Sequence, residues 1–312
     1  MIRRISPLLN IFVAACAVGT LYGCSGTDLT GAPSASLATP LQTRSFDAKS
    51  ALKTLAVSDL GGGTVLSRVE LLNNQYELVG TITDGIDGAT GDWYDAHGNL
   101  YVGNYAVPMV REYAKGSSSP KFTYSSGLER PYSVATDTAG NVYVADFYNP
   151  SGSGGGVVEY PQASNTVKTQ CLGLNDTGVA VDAHGDVFVS GTGGTLLEYK
   201  GGLNGCKSTT LGVTLPGGGG LLIDKKSDLV ACAGHEVDIV PPPYTSITLR
   251  ITGFQYAEHD ALTRDESLLF VADVENYDVQ VFTYPDGSYV TTLDESNGLV
   301  DPAGVAAYPA SK

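Results

Sequence analysis

The sequence predicts an all-β fold built from repeated four-stranded units, and three observations support this prediction. Glycine is abundant, at 39 of 312 residues, while charged residues make up 16% of the chain, against about 25% in an average soluble protein. One sequence pattern recurs along the chain: an apolar stretch ending in Asp, then a polar turn, then a strand of alternating apolar and polar residues. The two ends of the chain match complementary parts of this unit. Together these features indicate short strands joined by glycine-rich turns.

The recurring sequence pattern has a period of between 40 and 45 residues. Its clear copies end at Asp95, Asp137 and Asp182, and weaker copies end at Asp224 and Arg264. The steps between these five positions are 42, 45, 42 and 40 residues. Each unit holds two further strand segments after the first two, so it contains four strands. A repeat of this length with four strands corresponds to one blade of a β-propeller.

The chain ends complete the ring. Residues 304–308 match a first strand with nothing after it, whereas residues 55–59, 65–71 and 76–82 match a second, third and fourth strand. The sequence thus predicts a six-bladed β-propeller of four-stranded antiparallel blades over residues 54–309, closed by a split blade that the N- and C-terminal segments share. Closure of this kind hides strand edges that would otherwise pair between molecules.

Two segments carry a family resemblance. Residues 141–146 (Asn-Val-Tyr-Val-Ala-Asp) and 268–273 (Leu-Leu-Phe-Val-Ala-Asp) resemble the NHL-type repeats of six-bladed propellers. The resemblance extends over nearly all of the chain that follows the N-terminal segment, and it implies the propeller fold. It does not imply a particular activity, because this architecture hosts unrelated functions.

The first 53 residues predict a secretion signal and a tether. Arg3 and Arg4 precede a short apolar run over residues 8–18, which is the pattern of a secretory signal peptide. Leu21-Tyr22-Gly23-Cys24 resembles a bacterial lipobox. The resemblance implies removal of residues 1–23, lipidation of Cys24 and, with Ser25 next, an outer-membrane or cell-surface location. The alternative is an ordinary signal peptide that contains a cysteine. Residues 24–53 then form a flexible tether rich in Ser, Thr, Ala, Gly and Pro.

The charge of the chain restricts its partners. The net charge is −15, and removal of residues 1–23 takes away two arginines and no acid, which leaves −17. Nucleic acid is excluded as a partner, because phosphate binding needs a surface of Lys and Arg. The expected partners are the membrane, through the lipid anchor, and a protein, peptide or carbohydrate ligand. We expect the propeller to be a monomer.

Three cysteines lie in the propeller region. Cys171 falls on the outer strand of one blade and Cys206 just before the outer strand of the next. Since neighbouring outer strands could meet and the compartment is oxidising, we predict a Cys171–Cys206 disulfide. Cys232 sits in an apolar second strand and is predicted to be a buried free thiol. No Cys-x-x-Cys pair is present, so a thiolate zinc site is not expected.

The loops around one end of the axial channel carry the candidate binding residues. In a propeller, the loops that lead into the first strands and those between second and third strands share one face. The candidate rim on this face comprises Asp92, Asn104, Tyr105, Tyr132, Asp146, Tyr148, His259, Asp273 and Asn276. This mixture suits a cation, a sugar or a peptide, and it allows a divalent cation such as calcium as a cofactor. The alternative is that Asp and Asn satisfy loop backbones and that Tyr packs between blades.

These features favour a binding scaffold outside the cytoplasm. The alternative is a metal-dependent hydrolase or lyase, although no catalytic residue and no metal ligand are assigned. A resemblance to gluconolactonase-type propellers would nominate Glu258, Asn104 and Asp273 as cation ligands. A resemblance to streptogramin-lyase-type propellers would nominate His259 beside Glu258. The turn residues His97 and His184 occupy equivalent repeat positions and are expected at the surface.

The lipid anchor is tested by substitution of Cys24. The change Cys24→Ser removes the predicted acceptor of the lipid, so the protein should move from the membrane fraction to the soluble fraction, because a protein held by lipid chains loses its anchor without them. Ultracentrifugation and immunoblotting of expressing cells measure this. The matched change Cys16→Ser, inside the signal segment, should leave membrane partitioning intact. A Cys24→Ser protein that still partitions with membranes contradicts the lipoprotein prediction.

Overall fold

The computed structural model describes residues 52–147, 155–173 and 175–309. These residues form 23 strands and two short 3₁₀ turns, Asn204–Cys206 and Glu295–Asn297. The strands are β1 (Thr54–Asp59), β2 (Arg68–Leu72), β3 (Leu78–Ile82), β4 (Ala89–Tyr94), β5 (Leu100–Asn104), β6 (Met109–Tyr113), β7 (Pro120–Tyr124), β8 (Pro131–Thr136), β9 (Val142–Asp146), β10 (Gly156–Tyr160), β11 (Thr169–Leu172), β12 (Asp176–Val181), β13 (Val187–Gly191), β14 (Thr195–Tyr199), β15 (Thr209–Thr214), β16 (Leu221–Ile223), β17 (Leu229–Cys232), β18 (Gly234–Val240), β19 (Leu249–Leu262), β20 (Leu268–Asp273), β21 (Asp278–Thr283), β22 (Tyr289–Leu293) and β23 (Pro302–Tyr308).

The strands confirm the predicted propeller of four-stranded antiparallel blades. Blade 1 has the order β23-β1-β2-β3, blade 2 is β4 to β7, blade 3 is β8 to β11 and blade 4 is β12 to β15. Blades 5 and 6 share β19 and form one seven-stranded sheet from β16 to β22. The inner strands of the blades, which face the axis, are β23, β4, β8, β12, β16 and the second half of β19.

The shared strand β19 differs from the sequence-based expectation of separate strands in each blade. Its first half, Leu249 to Thr252, pairs with β18, and its second half pairs with β20 from Ala257 onward; Ala257 also pairs with Gly234 of β18 after a register shift. The Asp273 carboxylate accepts the backbone N–H groups of Gln255 and Tyr256 between these two halves, both at 2.8 Å.

The ring closes where β1 pairs with β23, as the sequence predicts. The antiparallel register runs from Thr54 opposite Tyr308 to Ser58 opposite Gly304. Gly304 also lies against the next blade, since a Cβ at this position would stand 1.8 Å from the carbonyl oxygen of Thr90. Only glycine therefore allows the closing strand to approach β4 this closely.

The Asp that recurs directly after the inner strands of blades 2 to 5 stabilises the turn that follows. The Asp95 carboxylate accepts the backbone N–H groups of His97 and Asn99, both at 2.8 Å. Asp137, Asp182 and Asp224 make the equivalent bonds in their own blades. The repeat seen in the sequence is thus a repeat of side-chain-capped turns.

Three tyrosines pack between blades 2 and 3. The rings of Tyr101, Tyr124 and Tyr160 are fully buried, with centroid separations of 6.3 Å and 5.4 Å along the series. Tyr160 donates to the carbonyl oxygen of Ser126, and Tyr124 donates to the Glu112 carboxylate at 3.2 Å. Tyr124 and Tyr160 thus combine large apolar contact areas with satisfied hydroxyl groups, whereas the Tyr101 hydroxyl has no hydrogen-bond partner among the described residues.

The cysteines of the propeller are a disulfide pair and a thiol. Cys171 on β11 and Cys206 in the 3₁₀ turn are joined by a disulfide, with Cα atoms 5.3 Å apart. Cys232 is a buried free thiol at the end of β17. No helix within the described part of the chain has the length and apolar character needed to cross a membrane.

Loss of the disulfide should destabilise the propeller. The bond links positions 35 residues apart, so Cys206→Ser should lower the free energy of unfolding by about 3–4 kcal/mol through a more open unfolded chain. Cys206 is the position to change because it is exposed, whereas Cys171 is buried. Urea unfolding followed by circular dichroism measures the change. Reductant should destabilise the wild type and leave Cys206→Ser unaffected; equal stability of reduced and oxidised wild type would show that the bond does not contribute.

Candidate functional site

Three of the predicted rim residues bind the loops that lead into the inner strands. Asn104, Asp146 and Asp273 end the second strands of blades 2, 3 and 6, and all three are buried. Asn104 Oδ1 accepts the backbone N–H of Asp87 at 2.8 Å, and Asp146 Oδ1 accepts that of Arg130 at 2.7 Å. Each side chain therefore attaches its second strand to the incoming loop of the same blade. We refer to these contacts as loop clamps.

The clamp also occurs in blade 1, where sequence analysis did not single it out. Asp59 ends β1 and accepts the backbone N–H groups of Val300 and Asp301 at 2.8 Å and 3.1 Å. The exposed side chain of Asn276, another predicted rim residue, donates to Asp273 at 2.8 Å and supports the clamp of blade 6. These bonds correspond to the alternative in which Asp and Asn satisfy loop backbones.

The second strands of blades 4 and 5 end in residues that cannot form the clamp, Gly191 and Cys232. Near the first of them, Asp176 begins the inner strand β12 and is 2% exposed. Its Oδ1 has no hydrogen-bond partner among the described residues. Burial, together with the nearby charge of Asp146, raises the pKa of Asp176 to about 8.

His259 lies inside the channel wall and not in the incoming loop that the sequence suggested. It belongs to β19, is 4% exposed, and its Nδ1 lies 2.9 Å from the carbonyl oxygen of Ala303. Since a carbonyl oxygen only accepts, Nδ1 carries the proton and Nε2 is the free acceptor. Burial lowers the pKa of His259 to about 4, so the ring is neutral at pH 7. A Cβ at Gly91 would stand 2.7 Å from Nε2, so glycine makes room for the ring.

A small cavity lies on the axis beside the His259 layer. Its volume is about 30 Å³, and it is lined by residues 92–94 of β4, 222–223 of β16, 260–262 of β19 and 305–307 of β23. His259 contacts Gly91 and Ala303, which precede the cavity-lining residues of their strands. The imidazole thus lies next to the cavity, toward the end of the channel where the inner strands begin.

Asp92 is part of this cavity wall, whereas the sequence placed it in a loop at the rim. It lies within β4 and is 7% exposed. Its Oδ1 accepts the Ser58 hydroxyl at 2.6 Å, while its Oδ2 has no partner in the described part of the chain. Asp260 lines the same cavity with an Oδ2 that is likewise unpartnered within the described ranges. Burial raises the pKa of Asp92 to about 7 and that of Asp260 well above its usual range.

The structure brings Tyr105 and Tyr132 together with Phe147 at the rim, and we call these three residues the aromatic cluster. All three are half-buried. Tyr132 stacks on Phe147 with centroids 5.6 Å apart, and Tyr105 meets Tyr132 edge-on at 6.0 Å. The Tyr132 ring also contacts the His259 ring, with centroids 5.3 Å apart. The cluster therefore extends from the rim to the His259 imidazole beside the cavity.

Arg130 lies against the aromatic cluster. Its Nη1 donates to the Tyr105 hydroxyl at 2.8 Å, and its guanidinium carbon is 5.0 Å from the centroid of the Tyr105 ring. Sequence reasoning missed Phe147, although a signal was present. Phe147 follows Asp146 as Tyr105 follows Asn104, so the two aromatic residues occupy equivalent positions directly after loop clamps.

The structure does not arrange the candidate metal ligands Glu258, Asn104 and Asp273 as a metal site. Asn104 and Asp273 act as loop clamps, and Glu258 is buried, with its pKa raised to about 8 by that burial. Across residues 52–147, 155–173 and 175–309, no group of three or more His, Cys, Asp or Glu side chains is placed to hold a metal ion. His97 and His184 are exposed turn residues. Cys24 and Tyr148 lie outside the described residues.

Comparison with known proteins identifies the fold. No protein-family model and no curated protein matches this sequence. A chain from a crystal structure of a nidogen/laminin complex superposes with a TM-score of 0.67 at 15% identity, over 83% of this chain and 99% of that one. A Bacteroides caccae protein of unknown function gives a TM-score of 0.61 at 12% identity, over 82% and 98% of the two chains. A functionally unknown protein from Desulfotomaculum acetoxidans DSM 771 gives a TM-score of 0.60 at 13% identity, again over 82% of this chain and 98% of that one. These similarities show that the chain has a six-bladed propeller fold.

The buried Asp176 should make stability fall as pH rises. Its folded-state pKa of about 8 lies above the ordinary value of 3.8, so the unfolded chain loses this proton first and stability declines between about pH 4 and pH 8. The variant Asp176→Asn has no such proton. The free energy of unfolding of Asp176→Asn minus that of the wild type should therefore be about 1 kcal/mol or more higher at pH 8 than at pH 4.

Urea unfolding at several pH values measures this difference. The exposed Glu275→Gln variant serves as the control and should follow the wild type throughout. A stability difference between Asp176→Asn and wild type that is constant from pH 4 to pH 8 would show that Asp176 titrates normally in the folded protein.

Proposed function

We propose that this chain is a binding module whose aromatic cluster, together with Arg130, engages a protein partner through an exposed peptide segment. The observation that carries the proposal is the convergence of three half-buried aromatic rings and one guanidinium at the rim of the channel. Tyr and Arg dominate the energetic centres of protein interfaces. A chain of similar fold comes from a crystal structure of a nidogen/laminin complex, which supports the same interpretation.

The cluster offers apolar surface at low entropic cost. Mutual ring contacts and the Arg130–Tyr105 hydrogen bond hold the side chains before a partner arrives. Pre-organised aromatic side chains lose little freedom on binding, so more of the contact energy remains as affinity. Arg130 brings a positive group to the rim of an acidic protein.

The proposed location of this module is the outer surface of the cell envelope. The lipobox-like residues 21–24 and the polar segment 25–53 support an anchored monomer on a tether. A coil of ~30 residues would hold the propeller roughly 30 Å from the membrane. At that distance the rim of the channel can meet a partner in the same envelope or outside it.

The test uses peptides selected on the wild-type protein from a random phage-displayed library. The double variant Tyr105→Ala/Tyr132→Ala should bind the selected peptides at least about thirty-fold more weakly, since loss of interface centres costs about 2 kcal/mol or more. Fluorescence anisotropy with labelled peptides measures the affinities. The control is Tyr289→Ala, which removes a 61% exposed tyrosine on the outer strand β22 and should leave binding unchanged.

Two results would contradict the proposal. One is equal affinity of the selected peptides for the wild type and the double variant when thermal unfolding shows that both are folded. The other is a carbohydrate array that yields ligands sensitive to the double substitution while the peptide library yields none. The second result would assign the aromatic cluster to sugar binding.

A further inference from the structure

The outermost strand of blade 1, β3, has one unpaired edge. It pairs with β2 on one side, and within the described ranges no strand pairs with its other side. An edge of this kind presents backbone N–H and C=O groups that another extended chain can bind. The strand begins with Leu78 and Val79, whose exposed fractions are 46% and 62%, and it contains no charged residue. β3 therefore offers an apolar, uncharged edge to solvent.

Three of the other outermost strands are protected or largely covered. β7 begins with Pro120 and Lys121, which are residue types that oppose strand addition at an edge. Cys171 of β11 is joined by the disulfide to Cys206, which lies in the connection between β14 and β15. Of the residues in β22, Tyr289 is the exposed one, and the other four are buried or half-buried.

Turns of the following blade lie against the remaining two outermost strands. A Cβ added to Gly212 of β15 would stand 3.1 Å from Thr245 Cγ2, and a Cβ added to Gly287 would stand 2.9 Å from Ile251 Cγ1 of β19. In the corresponding turn of blade 2, between β6 and β7, a Cβ added to Gly116 would meet no atom within 4 Å. Among the described outermost strands, β3 is thus the one that keeps two adjacent exposed aliphatic side chains.

An open groove lies at the start of β3. Its volume is about 470 Å³, and it is lined by residues 75–78 and by residues 295–298 of the connection between β22 and β23. Leu78 belongs both to the groove and to the strand, and its Cδ2 lies 3.2 Å from the position that a Cβ of Gly298 would take. The groove and the free edge of β3 therefore form one continuous surface.

The groove is acidic. Glu77 and Glu295 line it and are exposed, and none of the described residues that line it is Lys or Arg. Arg68, which lies beside the same connection, is paired with Asp59 and Glu70. A second copy of the chain would bring the same two glutamates to the edge, and like charges that face each other across an interface oppose binding. The charge therefore favours a cationic occupant over a second copy.

We propose that β3 binds an extended basic peptide segment, which adds a fifth strand to blade 1 and places a Lys or Arg side chain in the acidic groove. Addition of a strand to an exposed sheet edge is a general mode of peptide recognition, in which main-chain hydrogen bonds give affinity and side-chain contacts give specificity. Apolar side chains of the segment pack on Leu78 and Val79. This surface is separate from the aromatic cluster, so either proposal can fail without the other.

The first test measures binding of a defined probe to the full-length protein. The probe is the labelled synthetic peptide Lys-Val-Thr-Val-Thr-Val-Lys, in which either direction of strand addition brings a lysine to the groove. Its matched control has Glu in place of both lysines. Fluorescence anisotropy should show that the lysine peptide binds at least about tenfold more tightly, because the control brings carboxylates to Glu77 and Glu295.

The second test changes the protein. The double variant Glu77→Lys/Glu295→Lys should bind the lysine peptide at least about tenfold more weakly, since it replaces attraction by repulsion. Val79→Lys should weaken binding as well, because a lysine on an edge strand opposes strand addition. The control Glu275→Lys reverses an exposed carboxylate in blade 6 and should leave the affinity unchanged. Thermal unfolding verifies that each variant is folded.

The third test locates the bound peptide on the wild type without any substitution. Amide hydrogen exchange followed by mass spectrometry should show about tenfold slower exchange in Leu78–Ile82 at saturating lysine peptide, because added strand hydrogen bonds protect backbone N–H groups. The outermost strand β15 serves as the internal control and should exchange at an unchanged rate.

Four outcomes would overturn the proposal. The first is absence of binding of the lysine peptide to the folded wild type, and the second is equal affinity for the lysine and glutamate peptides. The third is binding without slower exchange in β3, or binding that Tyr105→Ala/Tyr132→Ala abolishes, which would place the peptide elsewhere. The fourth is slower exchange in β3 that develops with protein concentration alone, which would assign the edge to a second copy of the chain.

Discussion

The pairing of β1 with β23 is the interaction on which the rest of the molecule depends. It joins the two ends of the described chain in one blade, from Thr54 opposite Tyr308 to Ser58 opposite Gly304. Without it, blade 1 would lack its inner strand and β1 would present an unpaired edge. The closed ring also forces six inner strands toward one axis, and this convergence creates both the His259 layer and the cavity beside it.

Close approach at the axis determines what the channel can hold. Gly304 brings β23 against β4, and Gly91 brings β4 against His259. The cavity beside His259 is about 30 Å³, far below the ~300–1,000 Å³ of pockets that hold small organic ligands. It cannot enclose a ligand of that size, and the proposed partner is assigned to the rim, where the aromatic cluster lies.

The loop clamps show how sequence reasoning and tertiary structure diverge. The positions of Asn104, Asp146 and Asp273 after the second strands were correctly located from the repeat, and a function at the rim was the natural hypothesis for polar residues there. The backbone N–H groups that they bind belong to loops 16 to 18 residues earlier in the chain. The repeat places the side chain, but it does not reveal which unpaired donor will lie opposite it. Tyr105 and Tyr132 do not bind backbone N–H groups of these loops; the Tyr105 hydroxyl accepts from the Arg130 side chain instead, and both rings remain half-buried beside Phe147.

The sequence by itself determined the blade repeat, the capped turns, the split closing blade and the pairing partners of its strands. These depend on local patterns, namely alternating apolar residues, Asp before a turn and a period in the low forties, which act over a few residues each. Only the tertiary structure decided that Asp92 and His259 lie in the channel wall, that Asp260 shares a cavity with Asp92 and that Phe147 completes the aromatic cluster. Those relations join residues of different blades, up to 168 positions apart for the two aspartates. Their geometry follows from ring closure and from how tightly glycine lets the inner strands converge.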